Sequence, residues 1–369
     1  MTQGTENIRT GEVCFPSKDL AADLAFYTER LGFRLDTIFP ADDPRVAVLS
    51  GHGLSLRLER DGAPGGGLLR LLCLDPDALA NGERELTAPN GVRIRIVDAI
   101  PPPETLPTQH AFIVQRRSQS NPWVIGRAGM QYRDLIPGRL GGAIVASQIR
   151  IPNAGPVPDM VHRHAVGFQL IFCYRGWVRL VYEDQGSPFV LKAGDCVIQP
   201  PHIRHRVLEA SENLEVIEVS VPAEHATHMD HDMELPTPHL RPDRDFGGQK
   251  FCRSEVARAV WAPWRLPGFE ARETGINAAT NGVASVRVAR SIARMPEKLT
   301  CHTADILFTF VVSGSLTLRE DGPGVHTLCE GDAYVIPPGM KTALADCSED
   351  LQLLEVSLPA GFQTTIHAE

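Results

Sequence analysis

Between residues 174 and 359 three pairs of matching segments recur at nearly one offset. "YRGWVRLVYED" (174–184) corresponds to "VSGSLTLREDG" (312–322), "AGDCVIQPP" (193–201) to "EGDAYVIPP" (330–338), and "LEVIEVSVP" (214–222) to "LQLLEVSLP" (351–359), at offsets of 138, 137 and 137 residues. Self-similarity at a fixed period marks a duplicated unit. Each copy offers short alternating strands with turn signals about every ten residues, the pattern of a sheet closed on itself so that its edges are protected. The 29 prolines and 32 glycines, set among few long helical patterns, agree. The expectation is a mainly β chain whose larger part is two β-barrels in tandem.

The N-terminal hundred residues read differently. A short apolar strand, "GEVCF", precedes "PSKDLAADLAFYTERLGF", in which Ser17 can cap a helix, Leu20, Leu24, Tyr27 and Leu31 recur at helical spacing, and Gly32 can terminate it. Alternating segments "FRLDTIF", "RVAVLS", "LSLRLER", "LRLLCL" and "VRIRIV" follow, separated by turn-forming "PADDP", "GHG", "DGAPGGG" and "PNG". The order is β-α-β-β-β with further strands after it, a small α+β module. The phrases "KDLAADLAFYTERLGF" and "APNGVRIRIVD" resemble the first helix and closing strand of the vicinal oxygen chelate family of glyoxalases, bleomycin-resistance proteins and extradiol dioxygenases. That family's metal positions do not carry over, because Glu12 and Arg95 stand at two of them and a guanidinium repels a cation. The module is expected to be metal-free, structural or ligand-binding, and to support a homodimer.

"IPPPETLPTQ" interrupts the pattern, since three consecutive prolines fit neither a helix nor a central strand. The expected organisation is the module at 1–100, a linker at 101–110, a first barrel at 111–233, a Pro- and Asp-rich linker at 234–248 and a second barrel at 249–369.

The chemistry concentrates in "VHRHAVGFQLIFCYRG" (161–176). His162 and His164, two apart on an extended chain, present both imidazoles on one face, and Gln169 follows on the next strand. After "GDCVIQPPHIRH", His205 can add a third imidazole if its strand is a neighbour. This spacing resembles the cupin superfamily of jelly-roll β-barrels, whose motifs read G-x5-HxH-x3/4-E-x6-G and G-x5-PxG-xx-H-x3-N. The resemblance implies His162, His164, Gln169 and His205 as metal ligands, with Gln169 replacing the family's glutamate as a ligand or an orienting group. His202 and Glu209 stand where the second motif has glycine and asparagine. In the second copy the equivalent positions hold Thr300, His302, Leu307 and Thr342, and one imidazole cannot retain a metal, so a degenerate scaffold barrel without metal is expected there.

Other groups carry less. His225, His228 and His231 fall at i, i+3 and i+6, as on a solvated connecting helix, the alternative being a helical face that binds a metal. His52 reads as a turn residue, and His110 has no evident partner. Trp177 and Tyr182 are expected on one face of the strand after the first motif, with Val178 and Leu180 on the other, and to pack in the core or line the pocket mouth as substrate contacts. Arg204 and Arg206 flank His205, and Arg204 either meets an acidic substrate or pairs with an acid such as Glu209. The eight scattered cysteines include no CxxC, which favours buried free thiols.

A formal charge of −9 without a basic run argues against nucleic acid and anionic lipid as partners. No apolar stretch approaches the ~20 residues a membrane span requires, and residues 1–15 lack a signal-peptide pattern, so a cytoplasmic protein is expected. Imidazole ligands suit a divalent transition metal, and a resemblance to ring-cleaving dioxygenases implies Fe(II), with Zn, Ni, Mn and Cu as alternatives. One competent barrel followed by a degenerate one, with an HRH motif, is similar to gentisate and hydroxynaphthoate dioxygenases. The leading expectation is an enzyme, a metal-dependent oxidoreductase of dioxygenase type acting on a small oxygenated, aromatic or dicarbonyl substrate. A redox-neutral isomerase or lyase and a non-catalytic small-molecule sensor are the alternatives.

Overall fold

The structure, a computed structural model, describes residues 7–30, 32–51, 53–60, 62, 68–78, 82–87, 93–99, 106–119, 122–293 and 297–367. Leu31, His52 and residues 101–105 of the proline-rich linker lie outside them. Two compact units emerge. One comprises residues 1–104, 160–165 and 225–233, the other residues 105–159, 166–224 and 234–369.

The first unit opens with β1 (Ile8–Ser17), α1 (Leu20–Ala25), β2 (Arg34–Phe39), β3 (Val46–Gly51), β4 (Leu54–Arg60), β5 (Leu68–Cys73), β6 (Glu85–Thr87) and β7 (Arg93–Asp98). The β-α-β-β-β order is as read from the periodicity, but the cap is not. Ser17 ends β1, and Asp19 is the residue whose carboxylate accepts the Ala22 amide at 3.1 Å; Ser17 instead donates to Asp23 at 2.6 Å. Gly32, at φ +73°, follows the helix as expected. Leu20 packs with Phe33, Ala47, Leu49, Leu56 and Leu58 against one face of the sheet. Glu12 lies buried among arginines, 3.2 Å from Arg70 and 3.9 Å from Arg57, so its charge is already neutralised. β1 runs parallel to β4 and antiparallel to β5.

Two later strands complete this unit, β13 (His162–His164) and β20 (Thr227–Met229), and its sheet runs β6-β7-β5-β1-β4-β3-β2-β20-β13. The segment 225–231 is therefore extended rather than helical: three histidines at i, i+3 and i+6 do not distinguish a helix from a strand when the intervening residues are mixed.

The second unit contains the duplication. Before each copy's barrel come short strands, β8 (Ile113–Gln115) and β9 (Val124–Ile125), with β10 (Gln131–Asp134), β11 (Val145–Ile151) and β12 (Gly155–Pro156) after them. The first copy continues as β14 (Phe168–Arg175), β15 (Trp177–Tyr182), β16 (Phe189–Lys192), β17 (Cys196–Ile198), β18 (His205–Ala210) and β19 (Leu214–Val221). The second repeats the plan with β21 (Cys252–Ser254), β22 (Trp261–Pro263), β23 (Phe269–Glu273), β24 (Ser285–Ser291), β25 (Thr300–His302), β26 (Ile306–Ser313) and β27 (Ser315–Glu320). It closes with β28 (Val325–Cys329), β29 (Ala333–Val335), β30 (Thr342–Ala345), β31 (Gln352–Leu358) and β32 (Thr364–Ile366). The mainly β reading of the composition and repeat is the observed architecture.

The copies exchange strands. β8, which precedes the first, pairs with β29 of the second, and β21, which precedes the second, pairs with β17 of the first. Matching contacts seal the exchange. The Arg117 amide donates to Asp332 at 2.7 Å and the Val256 amide to Asp195 at 2.8 Å, while buried Arg133 reaches the Gly331 carbonyl at 3.0 Å and buried Arg272 reaches that of Gly194. Gly194 and Gly331 both adopt φ +89°, a left-handed turn that favours glycine.

One apolar core joins the copies: Phe168, Leu170 and Phe172 of β14 and Ile306, Phe308 and Phe310 of β26 belong to the same cluster. Since successive side chains alternate across a strand, Gln169, Ile171 and Cys173 face the other way, and Ile171 and Cys173 pack in the separate core of the first copy with Val178, Leu180 and Tyr182. All eight cysteines are free; Cys73, Cys173 and Cys196 are buried, whereas Cys329 is exposed. Among the described residues no helix is long and apolar enough to cross a membrane.

Because the central core is common property, Phe172→Ala and Phe308→Ala are each expected to cost about 3–5 kcal/mol and to raise amide exchange in both copies. Hydrogen-exchange mass spectrometry checks this; exchange rising only in the copy that carries the substitution is the contrary result.

Candidate metal centre

Each histidine of the HRH motif is aimed by its own surroundings. β13 alternates so that His162 and His164 are buried and Arg163 between them is not. The two rings meet edge to face, centroids 5.1 Å apart. His162 donates through Nδ1 to the Met160 carbonyl at 2.8 Å, and His205, first residue of β18, donates through Nδ1 to the Ile203 carbonyl at 3.1 Å. A carbonyl can only accept, so both rings carry their proton on Nδ1, which makes Nε2 the basic, ligand-type nitrogen. His164 Nδ1 lies 3.0 Å from the hydroxyl of Thr227, which is fully buried.

One ligand nitrogen from each of His162, His164 and His205 lies within 4.8 Å of the others, all three residues being buried. This is a three-histidine metal site in geometry and donor type. Imidazole nitrogen suits Fe, Ni, Cu and Zn, and the absence of a carboxylate from the cluster, among the described residues, disfavours Ca and Mg. Burial pushes the His205 imidazole down to about 4, against the opposing pull of its Ile203 hydrogen bond, so that ring stays neutral and able to ligate at neutral pH.

Gln169 adds a second sign. It is 1% exposed on β14, and neither its Oε1 nor its Nε2 has a hydrogen-bond partner. An unsatisfied buried amide costs about 1–3 kcal/mol, which a cation on Oε1 would offset. Its face of β14 is the one that Ile171 and Cys173 turn into the first-copy core. Its main-chain carbonyl accepts the Gln199 amide at 2.8 Å, and the Gln199 side chain donates to the Tyr182 hydroxyl at 2.9 Å.

Tyr182 pairs with His205 across β15 and β18, and its ring stacks on the imidazole at 5.4 Å and 25°. It shares its strand face with Val178 and Leu180, not with Trp177, because five residues along a strand reverse the side. Trp177, at the far end of β15, lies opposite Lys192. Arg204 pairs with buried Glu183 at 3.4 Å rather than with Glu209, which is 3.2 Å from Arg179. His110 has a partner after all, Asp305 at 2.7 Å; 195 residues separate the two in sequence.

Three participants carried no local sequence signal. Thr227 braces His164, the His225 ring packs edge-on against His164 at 5.5 Å and 80°, and the Asp159 carboxylate accepts the Val207 amide at 2.9 Å just after His205. The repeat held a clue to the first two, since His302 meets Phe362 edge-on at 6.1 Å and stands opposite Thr364 as His164 stands opposite Thr227.

In the second copy the corresponding positions hold Thr300 and Thr342, paired across β25 and β30, buried Leu307, and His302, whose Nε2 donates to the Ile336 carbonyl at 3.0 Å. Hydroxyls and an alkyl chain replace three of the four donors.

No protein-family model matches the sequence, and no curated protein matches it. Among solved structures the chain is similar to a salicylate 1,2-dioxygenase from Pseudoaminobacter salicylatoxidans with gentisate, at TM-score 0.51 and 17% identity over 72% of this chain and 88% of that one. It is also similar to oxalate decarboxylase from Bacillus subtilis, at TM-score 0.51 and 11% identity over 73% of this chain and 81% of that one. At such identities the likeness concerns the fold alone. With its duplicated strand order, strand exchange and shared core, the chain has the bicupin fold of two tandem barrels.

Proposed function

We propose that the protein is a metal-dependent dioxygenase acting on a small oxygenated, aromatic or dicarbonyl substrate. The observation that carries this reading is the convergence of three buried imidazoles, with the proton of His162 and of His205 held on Nδ1 by a carbonyl. His162, His164 and His205 would hold one divalent transition ion, Fe(II) in the first instance, and Gln169 Oε1 would complete the set. Such an ion supplies, when bound, a Lewis-acidic and redox-active centre with open coordination positions.

The chain contributes the rest. Four neutral donors leave the charge of a divalent ion uncompensated, which favours an anionic, chelating substrate. Tyr182 covers one face of the His205 ring and keeps bulk water from it. Among the expected substrate contacts, the stacking of Tyr182 on His205 supports a place for its ring beside the ion, while Arg204 is engaged with Glu183 and Trp177 lies on the opposite strand face. The likeness in fold to a salicylate dioxygenase crystallised with gentisate supports the oxidative reading, and that to oxalate decarboxylase supports a redox-neutral second reading. A homodimer formed through residues 1–100 belongs to the same proposal, and light scattering near twice the 40.4 kDa chain mass checks it.

Anaerobic reconstitution with Fe(II) is expected to load one ion per chain and to support oxygen uptake with a member of a salicylate, gentisate, catechol and β-diketone panel; His162→Ala is expected to lose both. Turnover without oxygen selects the redox-neutral reaction, and an Fe-loaded protein that consumes no oxygen with any of them rejects the dioxygenase. Gln169→Glu is expected to tighten metal binding by about tenfold or more, as a carboxylate replaces a neutral amide; calorimetric titration showing unchanged affinity excludes Gln169 from the ligand set.

A further inference from the structure

We propose that Thr227 is a positioning residue for the metal centre, and that the N-terminal sheet holds Thr227 in place through β2. This rests on the metal reading above. β20 lies between β13 and β2: His164 stands opposite Thr227 on one side, and Ile38 of β2 stands opposite the same Thr227 on the other. The hydroxyl of this fully buried threonine is 3.0 Å from His164 Nδ1. Its neighbours tie β20 to β2, as the Thr37 hydroxyl meets His228 Nδ1 at 2.9 Å and His231 Nε2 donates to the Leu35 carbonyl at 2.7 Å.

The physical need is specific. The terminal torsion of a histidine is broad, so a hydrogen bond must decide which nitrogen faces the cluster and in which direction. His162 and His205 obtain that bond from carbonyls two residues earlier in their own chain. His164 obtains it from a strand 63 residues away, and that strand is braced by the N-terminal sheet.

The second copy shows what happens otherwise. Thr364 stands opposite His302 in the same register, but among the described residues β32 is the last strand of its sheet, with no counterpart of β2 beyond it. There the imidazole bonds through Nε2 to the Ile336 carbonyl, whereas in the first copy the bond of His164 runs through Nδ1 to Thr227. The N-terminal module is thus a buttress of the metal centre.

Titration of the metal-free full chain with Co(II), followed by visible absorption and by metal analysis of the loaded protein, tests this. Thr227→Val is expected to weaken Co(II) binding by about 10- to 100-fold and to alter the ligand-field bands, with Thr227→Ser restoring both to near the wild-type values. Thr37→Val, which touches no ligand, is expected to weaken binding by a smaller factor. If Thr227→Val does not fold, Thr227→Ala is read in the same way. Unchanged affinity and bands in the Thr227 variants overturn the positioning role, and an unchanged Thr37→Val overturns the buttress. A wild-type chain that takes up no more Co(II) than His162→Ala overturns the metal reading itself, an outcome distinct from both.

Discussion

The burial of Phe168, Leu170 and Phe172 in a core shared by both copies is the constraint from which the rest follows. A slip of one residue in β14 would turn three large apolar side chains away from that core and bring Gln169 into it, so the register is strongly specified. The same alternation delivers Gln169 to the interior of the first barrel. Strand exchange reinforces the arrangement, because each copy completes the other's sheet and buried Arg133 and Arg272 each reach across to a glycine carbonyl of the opposite copy. The second copy thus supplies half of a common core, while Thr300, Leu307 and Thr342 stand at three of its positions equivalent to the expected ligands of the first.

The centre is built on neutral donors. Burial keeps His205 uncharged well below neutral pH, and the carbonyls of Met160 and Ile203 commit His162 and His205 to present Nε2. No acid joins the cluster among the described residues, so the donors it offers an ion are imidazole nitrogens and not carboxylates. Glu12 illustrates the contrast within the same chain: the buried acid of the N-terminal sheet is surrounded by Arg57 and Arg70, a pairing that satisfies the carboxylate structurally.

Much of the fold was legible in the residues. Three repeat matches at offsets of 137 to 138 residues announced the duplication, and the HxH spacing put His162 and His164 on one face, with His205 implied by the resemblance of the motifs. The failures share a cause. Ser17 and Asp19 are both good caps within one turn, and only the path of β1 decides between them. The histidines at 225, 228 and 231 fit a helix or a strand equally until β2 and β13 claim both edges of the segment. Tyr182 falls on the face of the buried Val178 and Leu180 and not on that of Trp177, a matter of strand parity that the core settles. His110 needed Asp305, which no local pattern indicates.

The sequence by itself determined the periodicities: where strands alternate, where the unit repeats, and that two histidines two residues apart share a face. Those properties depend on neighbours along the chain. Only the tertiary structure decided which ring nitrogen each histidine presents, that Tyr182 stacks on His205, and that Thr227 stands behind His164. These depend on hydrogen-bond acceptors and ring faces brought together from strands far apart in sequence, and their geometry exists only once the sheets have closed.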